Sequence, residues 1–325
     1  MTTVVDAGIV ESFDVDQHCE AISPTWSVTF NQLSKGRFHG RLDFVNTGRL
    51  LMYRERWSQR LHVYGTSSEG CFMIGATAAK DFVWDGGRLG KRNLAVKQSG
   101  TEVDFTASAS DHAVLIVPPD VLITHLGEER ALQLLRESHT LACPPNLSDK
   151  LTRIVRGFTE RYAVNHQGLN EQSETQAIET ELMSVLADIN ATEPARMTRA
   201  AKSKRQRALL DAIERTRNLR RPLPIPELSR DIGVSQRTLE YAFNDAFGIS
   251  PTRFLRWRRM NGLRRQLLEA DPADASATQL GLVWGFGELG RLAVEHRQLF
   301  GESPSATLAR RMQVPKVRLA SRPGA

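Results

Sequence analysis

Cysteine is scarce. The 325-residue chain has 3, Cys19, Cys71 and Cys143, without a CxxC pair, so neither a disulfide framework nor a zinc cluster is expected and the thiols should be reduced and ordinary. Long apolar runs are also missing: the longest near the middle, Ala113 to Val117, is far short of the roughly 20 residues that cross a bilayer. The first fifteen residues carry Asp6, Glu11 and Asp14 without a basic start and an apolar run. No secretory signal and no membrane partner are therefore expected, and a cytoplasmic location is. His18, His39, His62, His112, His125, His139 and His166 stand singly with no HxH, so no metal or other cofactor is expected. A Gly-rich phosphate loop and a nucleophile elbow are absent, which argues against an enzyme. A repair methyltransferase would need a reactive cysteine in a basic setting, and Cys19 and Cys143 have acidic or proline neighbours.

What is present has an ordinary globular balance, 41% hydrophobic and 25% charged, in a chain long enough for two domains. The net charge of +6 is unevenly placed: residues 199–325 hold 24 Lys and Arg against 12 Asp and Glu, whereas residues 1–198 are net acidic. A basic unit joined to an acidic one points to a polyanion partner, nucleic acid ahead of a membrane surface because no lipid-insertion segment accompanies it.

From Trp26 to about Pro118, short alternating or β-branched and aromatic runs broken by glycines predict a small antiparallel sandwich or barrel. Candidate strands are 41–45, 50–54, 61–64, 71–74, 82–84 and 113–117. After Pro118-Pro119 the period becomes helical. Three stripes, around Leu122–Leu135, Leu147–Phe158 and Ile178–Ile189, suit a helical cap on the β domain and, with spare apolar faces, subunit pairing. Aromatic residues Trp26, Phe30, Phe44, Tyr53, Trp57, Phe72, Phe82 and Trp84 are numerous enough either to fill an ordinary core or to line a pocket, where Asp85 or Glu55 would pair with a cationic ligand.

The last third contains an internal repeat. Phe247-Gly248-Ile249-Ser250-Pro251 returns as Phe300-Gly301-Glu302-Ser303-Pro304 at an offset of 53, and Leu239 returns as Leu292. In the first copy Leu228 and Ile232 give an inner face, Gly233 turns the chain, Ser235 caps the next helix, and Leu239, Phe243 and Phe247 continue the core stripe. That is helix-turn-helix grammar. In the second, Leu280 and Trp284 precede Gly285, and Gly287 stands at the expected cap. Between the copies runs an arginine-rich helical stretch, 252–269, about 27 Å long at about 1.5 Å per residue, enough to hold two recognition helices over adjacent major grooves.

These tandem units, the helix between them, Gly285-Phe286 and both FGxSP endings resemble the AraC/XylS family of bacterial transcription regulators. The resemblance implies an α+β chain: an N-terminal cupin-like β-barrel with a helical cap and a C-terminal all-α tandem helix-turn-helix domain. It implies a β-barrel effector-sensing domain over 1–120, a helical cap or dimerisation region over 121–190, a linker over 191–207 and a DNA-binding domain over 208–325. Within the last, the two units fall at about 224–247 and 277–300. Expected partners are double-stranded promoter DNA, a small-molecule effector, RNA polymerase and a second copy in a homodimer, with activation of a catabolic operon as the output. The segment Gln32 to Gly40 and Val117-Pro118-Pro119 also look like the effector domains of amine and alcohol catabolic operon regulators, so an amine or alcohol is the implied effector. An architectural DNA binder without a ligand is the alternative. Carried over, the first recognition helix presents Gln236, Arg237, Glu240, Tyr241 and Asn244, and the second Leu289, Gly290, Arg291, Val294 and Glu295. Arg253 and Arg256 on the helix between are expected at phosphates. Arg237, Arg291 and Leu289 are the main expected base readers, although an exposed arginine also serves as a phosphate contact. Trp26, Phe30, Tyr53, Phe82 and Trp84 are the expected pocket. His296, at the repeat position of Phe243, is expected as a hydrogen-bonded core residue rather than a switch.

Overall fold

The computed structural model describes residues 6–310 except 24, 68–69, 71, 80, 89–92, 99, 137–138, 143–145, 165–171 and 192–202. Cys71, Cys143, His166 and most of the expected linker therefore lie outside the described residues. Strand β1 (Asp6–Ser12) leads into α1 (Val15–Ile22), whose start is set by Asp14: its carboxylate accepts from the backbone N–H groups of Asp16 and Gln17. Then follow β2 (Trp26–Gln32), β3 (Gly40–Asn46), β4 (Leu51–Trp57), β5 (Leu61–Ser67), β6 (Phe72–Thr77), β7 (Val83–Trp84), β8 (Gly87–Arg88), β9 (Asn93–Lys97), β10 (Glu102–Ala107) and β11 (Ser110–Val117). A last strand, β12 (His139–Ala142), lies beyond the expected end of the β domain at residue 120. All pairings are antiparallel, in two sheets: β1-β3-β4-β11-β6-β9-β12 and β2-β5-β10-β7-β8. No pairing among the described residues joins one sheet to the other, so the strands form two facing sheets instead of a closed barrel. At one edge of the smaller sheet β7 and β8 have two residues each, too few to carry a ladder across.

Alternation sorts the larger sheet into two faces. Along β4, Leu51, Tyr53 and Trp57 turn toward the smaller sheet, while Met52 turns outward with Ile74 and Leu115. The outward face is covered by helices α2 (Pro119–Leu126), α3 (Glu128–Arg136), α4 (Leu147–Tyr162) and α5 (Gln172–Ala191). The first expected stripe is two helices rather than one, because Gly127 at φ 78° breaks it. Leu151, Ile154 and Val155 of α4 and Leu182, Val185 and Leu186 of α5 are buried in one cluster with the sheet; each such side chain contributes roughly 1.5–3 kcal/mol.

The C-terminal part is helical: α6 (Lys204–Arg215), α7 (Ile225–Asp231), α8 (Gln236–Phe247), α9 (Pro251–Glu269), α10 (Ala277–Val283), α11 (Leu289–Phe300) and α12 (Pro304–Ala309). One cluster joins them around Phe243, Phe247, Phe254, Met260 and Leu292, and it includes Leu33 and Val83 of the N-terminal part.

Candidate nucleic-acid interface and effector cavity

Local chemistry fixes both helix pairs. Between α7 and α8, Gly233 takes φ 69°, and the Ser235 hydroxyl accepts from the Thr238 N–H at 3.1 Å to open α8, which Gly248 closes at φ 67°. The second pair repeats this with Gly285 at φ 71° and Gly301 at φ 82°. One detail differs from expectation: the N-cap of α11 is Glu288, not Gly287, and no side chain caps it. The offset follows from the longer second turn.

On α8, Gln236, Arg237, Tyr241 and Asn244 are exposed and Glu240 is half-buried. Arg237 Nη2 donates to the Tyr241 hydroxyl at 3.0 Å, and Asn244 Nδ2 donates to the Glu240 carbonyl at 2.9 Å. On α11, Gly290, Arg291 and Val294 are exposed, with Leu289 and Glu295 half-buried. Glu295 is braced from both sides: Arg291 Nε donates to one carboxylate oxygen at 2.8 Å and Arg256 Nε to the other at 2.5 Å. Burial alone would raise its carboxyl pKa, but the two guanidinium groups hold it below the usual value. Glu295 and Arg256 thus tie α11 to α9.

The arginines of α9 are placed differently from a simple basic stripe. Arg258, Arg259 and Arg264 are buried. Arg258 Nη1 donates to the Ile213 carbonyl at 2.9 Å in the last turn of α6, and Arg259 Nη1 to the Trp284 carbonyl at 3.0 Å at the end of α10. Helix C-termini leave carbonyls without intrahelical donors, and a guanidinium on a buried stem satisfies them. Burial nonetheless lowers the pKa of both, Arg259 to about 10. Arg253 is exposed, with its guanidinium 5.7 Å from the Trp257 ring. Sequence reasoning passed over Arg220 and left Arg205 in the linker; they stack on Trp284 at 5.4 Å and on Tyr241 at 5.1 Å, beside the two helix pairs.

The two parts of the chain are docked through the segment that begins at Gln32. Its backbone N–H donates to Asn261 Oδ1 at 2.8 Å, Asn261 Nδ2 donates back to the Gln32 carbonyl at 3.1 Å, and Gln32 Nε2 donates to the Leu299 carbonyl at 2.5 Å. Arg264 forms a buried cluster with Asp14 and Asp16, joined by Arg310. Burial alone would raise the Asp14 carboxyl, but Arg264 and Arg310 bring it down to about 2.

Between the sheets lies a cavity of about 50 Å³. Trp26, Phe30, Tyr53, Phe82 and Trp84 all line it, joined by Phe105, Glu55, Thr77 and His112. Of the other aromatic candidates, Phe44 and Trp57 belong to the cluster between the sheets, and Phe72 to the cluster under the helices. Of the two acidic candidates, Glu55 is at the cavity and Asp85 is bound to Lys97 Nζ at 3.0 Å. Glu55 faces inward because it alternates with Tyr53 and Trp57 along β4, opposite His112 of β11. Its Oε1 lies 3.0 Å from His18 Nε2. Burial pushes His112 down to about 4, so its ring is neutral at pH 7. Burial also pushes the Cys19 thiol up to about 12, which leaves it unreactive. Among the described residues, no group of three or more His, Cys, Asp or Glu is placed to hold a metal ion, and no helix is long and apolar enough to cross a membrane.

Residues 228–310 match a family described as a helix-turn-helix domain. A probable thc operon regulatory protein of Rhodococcus erythropolis is 42% identical over 87 residues, 27% of this chain and 26% of that protein. The XylDLEGF operon transcriptional activator 1 of Pseudomonas putida is 34% identical over 94 residues, 29% of this chain and 28% of that protein. The matches therefore span about a quarter of the relatives' length. Among solved structures, the AraC-like transcriptional activator CuxR aligns over 86% of this chain and 99% of its own at 16% identity and a TM-score of 0.40. With two glycine-turned helix pairs on one central helix, residues 228–310 form a helix-turn-helix domain similar to those of proteins named as operon regulators.

Proposed function

We propose that this chain is a sequence-specific transcription regulator that binds promoter DNA through both helix pairs and activates a catabolic operon in response to a small molecule. The observation that carries this is the exposure of α8 and α11 side chains on two units held by one 19-residue helix, about 28 Å long at about 1.5 Å per residue, which suits adjacent major grooves. Gln236, Arg237, Tyr241 and Asn244 read or position the DNA from α8; Leu289, Gly290, Arg291 and Val294 do so from α11, with Arg253 at a phosphate. Glu240, Glu295 and Arg256 support them by fixing helix surfaces. The N-terminal part holds the effector in the cavity between its two sheets, and the helices α2 to α5 pair two copies on two half-sites. RNA polymerase is the partner of an activating complex. The architectural alternative lacks support from the cavity, which a non-sensing binder does not need.

The test is binding of the full chain to DNA upstream of its own gene and to single-base variants of the bound site. Arg291→Ala and Arg237→Ala should each weaken the specific site about tenfold or more and relax preference at one base pair. Losses that are equal on every sequence would move both side chains to the phosphate backbone and leave direct reading unsupported.

A further inference from the structure

We propose that the cavity between the two sheets is a site for a small organic ammonium cation, enclosed by aromatic rings and neutralised by the Glu55 carboxylate. This rests on reading the cavity as the effector site, and adds the charge and size of the effector. Six rings, Trp26, Phe30, Tyr53, Phe82, Trp84 and Phe105, contribute to the wall. An aromatic face carries negative electrostatic potential, so rings around a desolvated site attract a cation and gain little from an anion. Lys97 Nζ already stands 5.4 Å from the Trp84 ring.

The second observation is independent of the rings. Glu55 is a carboxylate at an inward position of a central strand, with its side chain 6% exposed. A buried carboxylate is costly unless paired. Among the described residues that line the cavity there is no lysine or arginine. Its hydrogen-bond partner His18 bonds through Nε2, while the buried His18 Nδ1 has no partner among the described residues. That contact reaches one carboxylate oxygen, Oε1, alone. Tyr53, the neighbouring hydroxyl, accepts from Trp26 Nε1 at 2.9 Å and brings no positive charge. A ligand cation completes the pair.

Volume and polarity narrow the class. The cavity holds about 50 Å³, where a single water needs about 10–15 Å³, so the ligand has only a handful of non-hydrogen atoms. Trp84 Nε1 is buried and has no hydrogen-bond partner among the described residues, which leaves a donor for a hydroxyl or carbonyl oxygen on the same ligand.

Choline and its uncharged carbon isostere dimethylbutanol have the same shape and differ in charge, so calorimetric titration of the full chain with each isolates the cation. Choline should bind at least about tenfold more tightly than the isostere. Glu55→Gln, folded by near-ultraviolet circular dichroism, should bring the two within about threefold. The comparison on the unaltered chain stands by itself should that variant not fold. Equal or tighter binding of dimethylbutanol overturns the cation while leaving a small-molecule effector in place. Binding of neither, in a protein that still binds its operator, overturns the cation and removes the cavity from the sensing mechanism.

Discussion

At the scale of single residues, one histidine shows how burial sets chemistry. His296 stands where the first repeat has Phe243 and packs against Phe300 with ring centroids 4.7 Å apart. Its Nδ1 lies 2.8 Å from the Glu302 carbonyl and its buried Nε2 has no partner among the described residues. Burial lowers its pKa from 6.5 to about 4. Between those values the unfolded chain takes up a proton that the folded chain refuses. The stability present above pH 6.5 is therefore lost as pH falls toward 4, by an amount on the order of 3 kcal/mol. His112, also lowered to about 4, adds a loss of the same sign in the same window. Urea midpoints measured in steps between pH 7 and pH 4 should therefore fall, and His296→Phe should remove about half of that fall. A variant with the unaltered slope would place the proton uptake elsewhere.

At the scale of elements, α9 organises the domain by what it lacks as much as by what it carries. Gly262 sits in a helix interior, where glycine is normally a disadvantage of roughly 1 kcal/mol relative to alanine. Here a Cβ would overlap the Trp284 ring, whose Nε1 donates to Gln266 Oε1 at 2.6 Å. Gly262→Ala should consequently destabilise by about 1–3 kcal/mol despite the better helix former, with a shift in tryptophan emission as Trp284 is displaced. Stabilisation instead would mean that the ring moves without cost. The same helix separates its arginines by role. Arg253 is exposed and Arg258 is buried on the end of α6, so Arg253→Ala should reduce the slope of log affinity for DNA against log salt by about one while Arg258→Ala lowers stability and leaves that slope alone. If both variants shift the slope equally, the buried arginine is within reach of phosphate after all.

At the scale of the whole molecule, the interface between the two parts is built from polar groups that only work together. Arg264 is held by Asp14 and Asp16, all three buried, and Asp14 also caps α1. Arg264→Leu leaves two carboxylates buried beside Arg310 and Arg265 alone and should cost about 3–5 kcal/mol. It should also split unfolding into two transitions, one for each part, where the unaltered chain gives one. Differential scanning calorimetry separates these outcomes, and a single transition in the variant would show that Gln32, Asn261 and the apolar contacts suffice for the coupling.

The sequence by itself determined the tandem units, because a repeat with glycine turns and serine caps encodes local geometry that needs no distant partner. It also determined the helical cap and six of the twelve described strands, through apolar periods of 3.6 and 2. Tertiary structure decided what periodicity cannot carry. Strands β1, β2, β8, β9, β10 and β12 lie outside the strand candidates, since their pairing is settled by partners elsewhere in the chain. The choice between Glu55 and Asp85 depended on which face of a strand each side chain takes and on Lys97 reaching one of them. The fate of the α9 arginines was hidden for the same reason: charge is a property of the residue, but burial belongs to whatever packs over it, here the ends of α6 and α10 and the two aspartates of the N-terminal part.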